Sequence, residues 1–67
     1  MQDIQKLLDA KGWSQMELAR QSGVSQGHIS SIIRGEKQPT VTIIEKLATA
    51  FGMRPGELLD GDSGQAS

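Results

Sequence analysis

An all-α fold of five short helices is predicted by three features of this 67-residue sequence. Its aliphatic residues recur at spacings of three and four, the period of an amphipathic helix. Each of the first four such stretches follows Asp, Ser or Thr and ends at Gly, the residues that start and stop helices. Aromatic side chains, which favour strands, are reduced to Trp13 and Phe51.

Asp3 caps a first helix of about Gln2 to Lys11, with Ile4, Leu7 and Leu8 on one face and Gly12 as its left-handed stop. The run Ser14, Gln15, Met16, Glu17 then has the form of a capping box, with the Ser14 hydroxyl taking an orphan amide and the Glu17 carboxylate reaching back to the Ser14 amide. Trp13 and Leu18 occupy the two positions of a hydrophobic staple. The second helix runs from Gln15 to about Ser22 and stops at Gly23. Ser25 caps a third, Gln26 to Arg34, with Ile29, Ile32 and Ile33 inward and Gly35 closing it. "EKQP" forms a loop. Thr40 caps a fourth helix, in which Val41, Ile44, Leu47, Ala48 and Phe51 share a face and Gly52 is the stop. Arg54-Pro55 opens a short fifth, since proline suits the first helical position. Residues 1–60 make one domain, and residues 61–67, with almost nothing to bury, are expected to be a disordered tail.

Several classes of function are excluded early. A chain this short has one small core and little room for a deep catalytic pocket. With no cysteine there is no disulfide or thiolate metal site, and the cytoplasm is the natural compartment. No apolar run approaches the roughly 20 residues of a membrane span. His28 is the only histidine and no acidic cluster accompanies it, so no metal or other cofactor is expected. No base is placed to activate a serine, which argues against an enzyme. The net charge of −1 counts against nucleic acid, but its distribution does not. Residues 1–56 carry seven bases against five acids, a net +2, and the remaining acids lie in a stretch without a base.

Two helices joined by a tight glycine turn are the geometry of a helix-turn-helix, whose second helix is pushed out for the DNA major groove. Ala19 is small where the helices cross, Gly23 makes the turn, and Val24, Ile29 and Ile32 fasten the unit to the core. Gln15, Leu18-Ala19, Gly23-Val24, Ser25-Gln26, Ile29-Ser30, Arg34-Gly35, Pro39, Leu47-Ala48 and Leu58-Leu59 together resemble the lambda repressor and Cro-like, XRE-type family of small bacterial and phage regulators. The matching positions extend over about Ile4 to Leu59. The resemblance implies a compact five-helix bundle of the lambda repressor type. In many members the positions of Leu8 and Ile33 hold a buried arginine–glutamate pair. Here both are aliphatic, which predicts a direct Leu8–Ile33 contact.

On the polar side of the third helix, Gln26 suits bidentate bonding to adenine and is the first choice of base reader. Gly27 adds no side chain but lets the backbone approach a duplex. Ser30 and Ser31 bond bases weakly, and Ser31 matches the family position that points at base edges. Arg34 suits guanine or a phosphate, with phosphate favoured. The resemblance makes Gln15 a phosphate clamp, and Ser25, His28, Lys37, Gln38 and Thr40 further candidates for backbone contact. It also implies a homodimer through the carboxyl-terminal helix, with Met53, Arg54, Pro55, Leu58 and Leu59 as candidates. For the two leucines, closing the intramolecular core is the competing role.

The expected function is a sequence-specific, dimeric transcriptional regulator that binds double-stranded operator DNA and represses. The rival is an antitoxin or other interaction module that covers a protein partner such as a toxin, with DNA secondary.

Overall fold

A computed structural model of the chain describes residues 2–60, and the expected tail of residues 61–67 lies outside the described residues. Five helices follow one another: α1 (Ile4–Lys11), α2 (Gln15–Ser22), α3 (Gln26–Ile33), α4 (Val41–Phe51) and α5 (Pro55–Asp60). Among the described residues there is no strand, and no helix is long and apolar enough to cross a membrane. The all-α expectation holds, including the five-element order.

The starts are set by local caps. Asp3 is extended and its carboxylate accepts from the amides of Gln5 and Lys6, so α1 begins at Ile4, two residues later than expected. Ser14, Ser25 and Thr40 each accept from the amide three residues ahead, at 3.1 to 3.2 Å. Each such cap stabilises its helix by about 1 kcal/mol. The box at Ser14 is only half formed: the Glu17 carboxylate turns away to Arg20 (2.8 Å) and Gln21 (2.7 Å). A guanidinium is a stronger donor to a carboxylate than a backbone amide is, and those bonds lower the Glu17 pKa, Arg20 contributing most. The reciprocal bond forms instead at α5, where the Glu57 carboxylate accepts from the Arg54 amide at 2.7 Å.

Gly23 ends α2 at φ 79°, in the left-handed region, and its amide returns to the Ala19 carbonyl at 2.9 Å. That conformation is costly for any residue with a Cβ. It turns the chain at once, so that Val24 enters the core and Ser25 caps the next helix.

The core collects Ile4 and Leu8 from α1, Leu18 from α2, Val24 from the turn, Ile29 and Ile32 from α3, four residues of α4 and Leu58 of α5. Full burial of one such aliphatic side chain contributes about 1.5–3 kcal/mol. Ile33 packs on this core as a partly buried residue, and Leu8, within the core, has no exposed surface. Trp13 closes another edge, its ring stacked on Phe51 at 5.8 Å with the planes 19° apart and the Lys11 ammonium 5.6 Å from its centre. Val41 is a correction: it does not share the inner face of α4 but is 72% exposed. As the first residue of the helix it stands a turn beyond the first buried position, Ile44.

The two ends of the domain are laced together. The Gln2 amide donates to the Leu58 carbonyl at 2.8 Å, and the Gln2 side chain to the Glu57 carbonyl at 2.9 Å. Gln2 is therefore a tether to α5 rather than a turn of α1.

Candidate nucleic-acid interface

The α2–α3 unit is held from beneath. Val24, Ile29 and Ile32 are buried, and half-buried Ala19 packs against the same core, so one side of α3 is committed to the interior. The side facing away carries Gln26, Gly27 and Arg34, all exposed, with Ser30 and Ser31 half-exposed between them. Gln26, Ser30 and Arg34 follow at intervals of four residues, so they form one polar stripe along the rod. No segment among the described residues buries that stripe.

Helix geometry leaves the first amides of each helix without an intrahelical acceptor. Ser25 takes the His28 amide, which leaves those of Gln26 and Gly27 directed outward at the start of α3. In α2 the same holds for Gln15 and Met16 after Ser14 takes Glu17, and in α4 for Val41 and Thr42 after Thr40 takes Ile43. Such amides, with the positive end of the helix dipole, suit phosphate oxygens. Ser25 and Thr40 use an oxygen lone pair in capping, and their hydroxyl protons stay available to a phosphate. Gln15 and His28 are half-buried, whereas Lys37 and Gln38 are exposed in the loop after α3.

Arg34 stands just past the helix, as its C-cap, and Gly35 follows at φ 77°. The Glu36 amide then closes back on the Ser31 carbonyl at 2.8 Å, in the manner of a Schellman motif. This closure puts the Glu36 carboxylate against Arg34, with Nε donating at 3.1 Å and Nη2 at 3.0 Å. Nη1 of Arg34 also donates to the Ser30 hydroxyl oxygen. The pair holds the Glu36 carboxyl below the ordinary carboxylate range and raises Arg34 above its own, the side-chain hydrogen bonds being the main cause. Both are charged at neutral pH. Sequence reasoning missed Glu36, because an acid three residues beyond a helix end carries no signal of its own even where the glycine stop is read correctly.

The helix-turn-helix family model matches residues 4–58, from the first residue of α1 to the last core leucine. The chain belongs to the helix-turn-helix family. Its relatives include a protein of Neisseria meningitidis named "Neisseria hypothetical transcription factor", 43% identical over 49 residues, or 73% of this chain and 46% of that one. An uncharacterized HTH-type transcriptional regulator, y4dJ, of Sinorhizobium fredii is 41% identical over 54 residues, covering 81% of this chain and 70% of its own. The HTH-type transcriptional regulator SutR of Escherichia coli is 36% identical over 50 residues, covering 75% of this chain and 28% of its own. This helix-turn-helix chain thus spans less than half the length of two of these relatives. No solved structure matches it closely enough to count.

The carboxyl-terminal candidates divide in the structure. Leu58 has no exposed surface and lies in the core, so its side chain is withdrawn as a dimer contact. Met53 is half-buried, packed on the core, and its sulfur accepts from Gln2 at 3.8 Å. Arg54 and Pro55 are exposed, and Leu59 is 45% exposed. Among the described residues no group of three or more His, Cys, Asp and Glu is arranged to hold a metal.

Gly27 offers a measurable compromise between stability and access. A Cβ at this position meets nothing within 4 Å and the backbone is helical. Gly27→Ala is therefore expected to stabilise the domain by about 0.5–1 kcal/mol, by restricting the unfolded chain. Thermal melting should show a rise of a few degrees, while affinity for DNA falls if the α3 backbone approaches the duplex there.

Proposed function

We propose that this chain is a sequence-specific DNA-binding transcriptional regulator that acts in the cytoplasm as a homodimer and represses by occupying an operator. The observation that carries this reading is the polar stripe of α3, standing clear of the globule on a helix whose opposite side is buried. In this reading α3 enters the major groove. Gln26, at its first turn, bonds adenine N6 and N7, and Ser31 adds a weaker base contact. Gln15, Ser25, Thr40 and the outward amides of three helices engage phosphates, with His28, Lys37 and Gln38 in support.

A module with so few bases neutralises few phosphates, and affinity for a duplex depends on that number. Pairing two modules raises it and sets two half-sites about 34 Å apart. Leu59, Arg54 and Pro55, with Met53 at the edge, are the surface on which the second copy is proposed to dock.

Selection of binding sites from random duplexes, followed by a salt titration, tests this. A two-fold symmetric site should emerge, with log K falling linearly as log salt rises. Gln26→Ala should relax preference at one position per half-site, at a cost of about 1–3 kcal/mol in discrimination. Uniform weakening on every sequence would remove Gln26 as a reader.

A further inference from the structure

Arg34 is the only lysine or arginine between Val24 and Glu36, and it is already engaged. Glu36 takes its Nε and Nη2 protons side-on, and Ser30 takes one on Nη1. A guanidinium has five N–H donors, so one remains on each of the two terminal nitrogens. Two donors, one on each terminal nitrogen, match in number the two acceptors, O6 and N7, that guanine presents. A phosphate is served less well. The Arg34–Glu36 pair has no net charge, and the Glu36 carboxylate repels a second anion brought to the same guanidinium. Base edges carry no full charge and reward orientation, which the pair supplies: Ser30 fixes the guanidinium from the helix side and Glu36 from the turn.

We infer that Arg34 is a specificity-determining residue that reads guanine, and that Glu36 is the positioning residue that aims it. This reverses the phosphate role favoured for Arg34 by sequence, and it rests on the DNA-binding reading above. Ser30 then acts through Arg34 and not as an independent base reader. Gln26 and Arg34 lie eight residues apart, about 12 Å along the rod. They therefore address separate base pairs of one half-site.

The test is binding-site selection from random duplexes with the unaltered chain, Arg34→Ala and Glu36→Gln in parallel, then salt titration on the selected site. The side chains of Arg34 and Glu36 are 55% and 58% exposed, so both variants keep the core intact. Both are expected to lose the same guanine preference, roughly tenfold or more for Arg34→Ala, with its salt slope little changed. Glu36→Gln should also bind unselected DNA more tightly, because a negative charge is gone. If Arg34→Ala weakens all sequences alike and lowers the salt slope by about one, Arg34 is a phosphate ligand and the inference falls. Preference lost in Arg34→Ala but intact in Glu36→Gln overturns the positioning role. An unaltered chain that selects no sequence overturns the DNA-binding reading itself, a result separable from the other two.

Discussion

Leu8→Arg is expected to unfold the domain, and Ile33→Glu added to it to recover part of the loss. Leu8 has no exposed surface, so an arginine there must bury a charge without a partner, at a cost of about 3–5 kcal/mol. That is comparable with the whole stability of a domain of this length, roughly 3–10 kcal/mol. Ile33, in α3, packs against the same core as a partly buried residue. A glutamate there can accept from the arginine while keeping one flank in water. Urea unfolding of the two single variants and the double variant gives the coupling energy directly, expected at about 1–3 kcal/mol in favour of the pair. A double variant no more stable than Leu8→Arg alone would show that the two positions do not meet. The unaltered aliphatic pair should remain the most stable of the four, since neither member has to be stripped of water.

Leu58→Ala and Leu59→Ala should separate a core leucine from a surface one. Leu58 is wholly enclosed, and α5 has no other buried residue among those described. Truncating it is expected to cost about 2–5 kcal/mol, through lost burial and the cavity left behind. Its backbone carbonyl also holds the Gln2 amide, so loosening α5 frees the chain's beginning as well. Leu59→Ala should change monomer stability by no more than about 0.5 kcal/mol. Leu59→Asp is the informative companion: if Leu59 lies between two copies, sedimentation at rising concentration should show a weakened dimer with the melting temperature of the dilute monomer unaltered. An unchanged association constant would move the proposed dimer surface elsewhere.

The clearest parts of the fold in the sequence were those settled within a few residues. Asp3, Ser14, Ser25 and Thr40 reach amides two or three positions ahead, so their chemistry announces each helix whatever surrounds it. The turn at Gly23 and the buried set Val24, Ile29 and Ile32 are of the same kind, and they bring the polar stripe of α3 to the surface. What failed did so for identifiable reasons. Glu17 had two competing partners, and a stronger donor one turn on displaced the expected amide. Val41 matched the apolar phase of α4 but stands beyond the end of the core.

By itself, then, the sequence determined the helices and their caps to within a residue or two, which face of α3 is greasy, and which side chains stand opposite that face. Those outcomes depend on hydrogen bonds and periodicities that span one or two turns. Only the tertiary structure decided which of two adjacent leucines in α5 turns inward, that Trp13 finds Phe51, that Gln2 is tied to α5, and that Glu36 grips Arg34. A six-residue helix is too short to fix its own phase, and partners distant in sequence meet only when the helices pack. Even the neighbouring Glu36 meets Arg34 only through the turn at Gly35, and the spacing of the two residues does not by itself signal the pair.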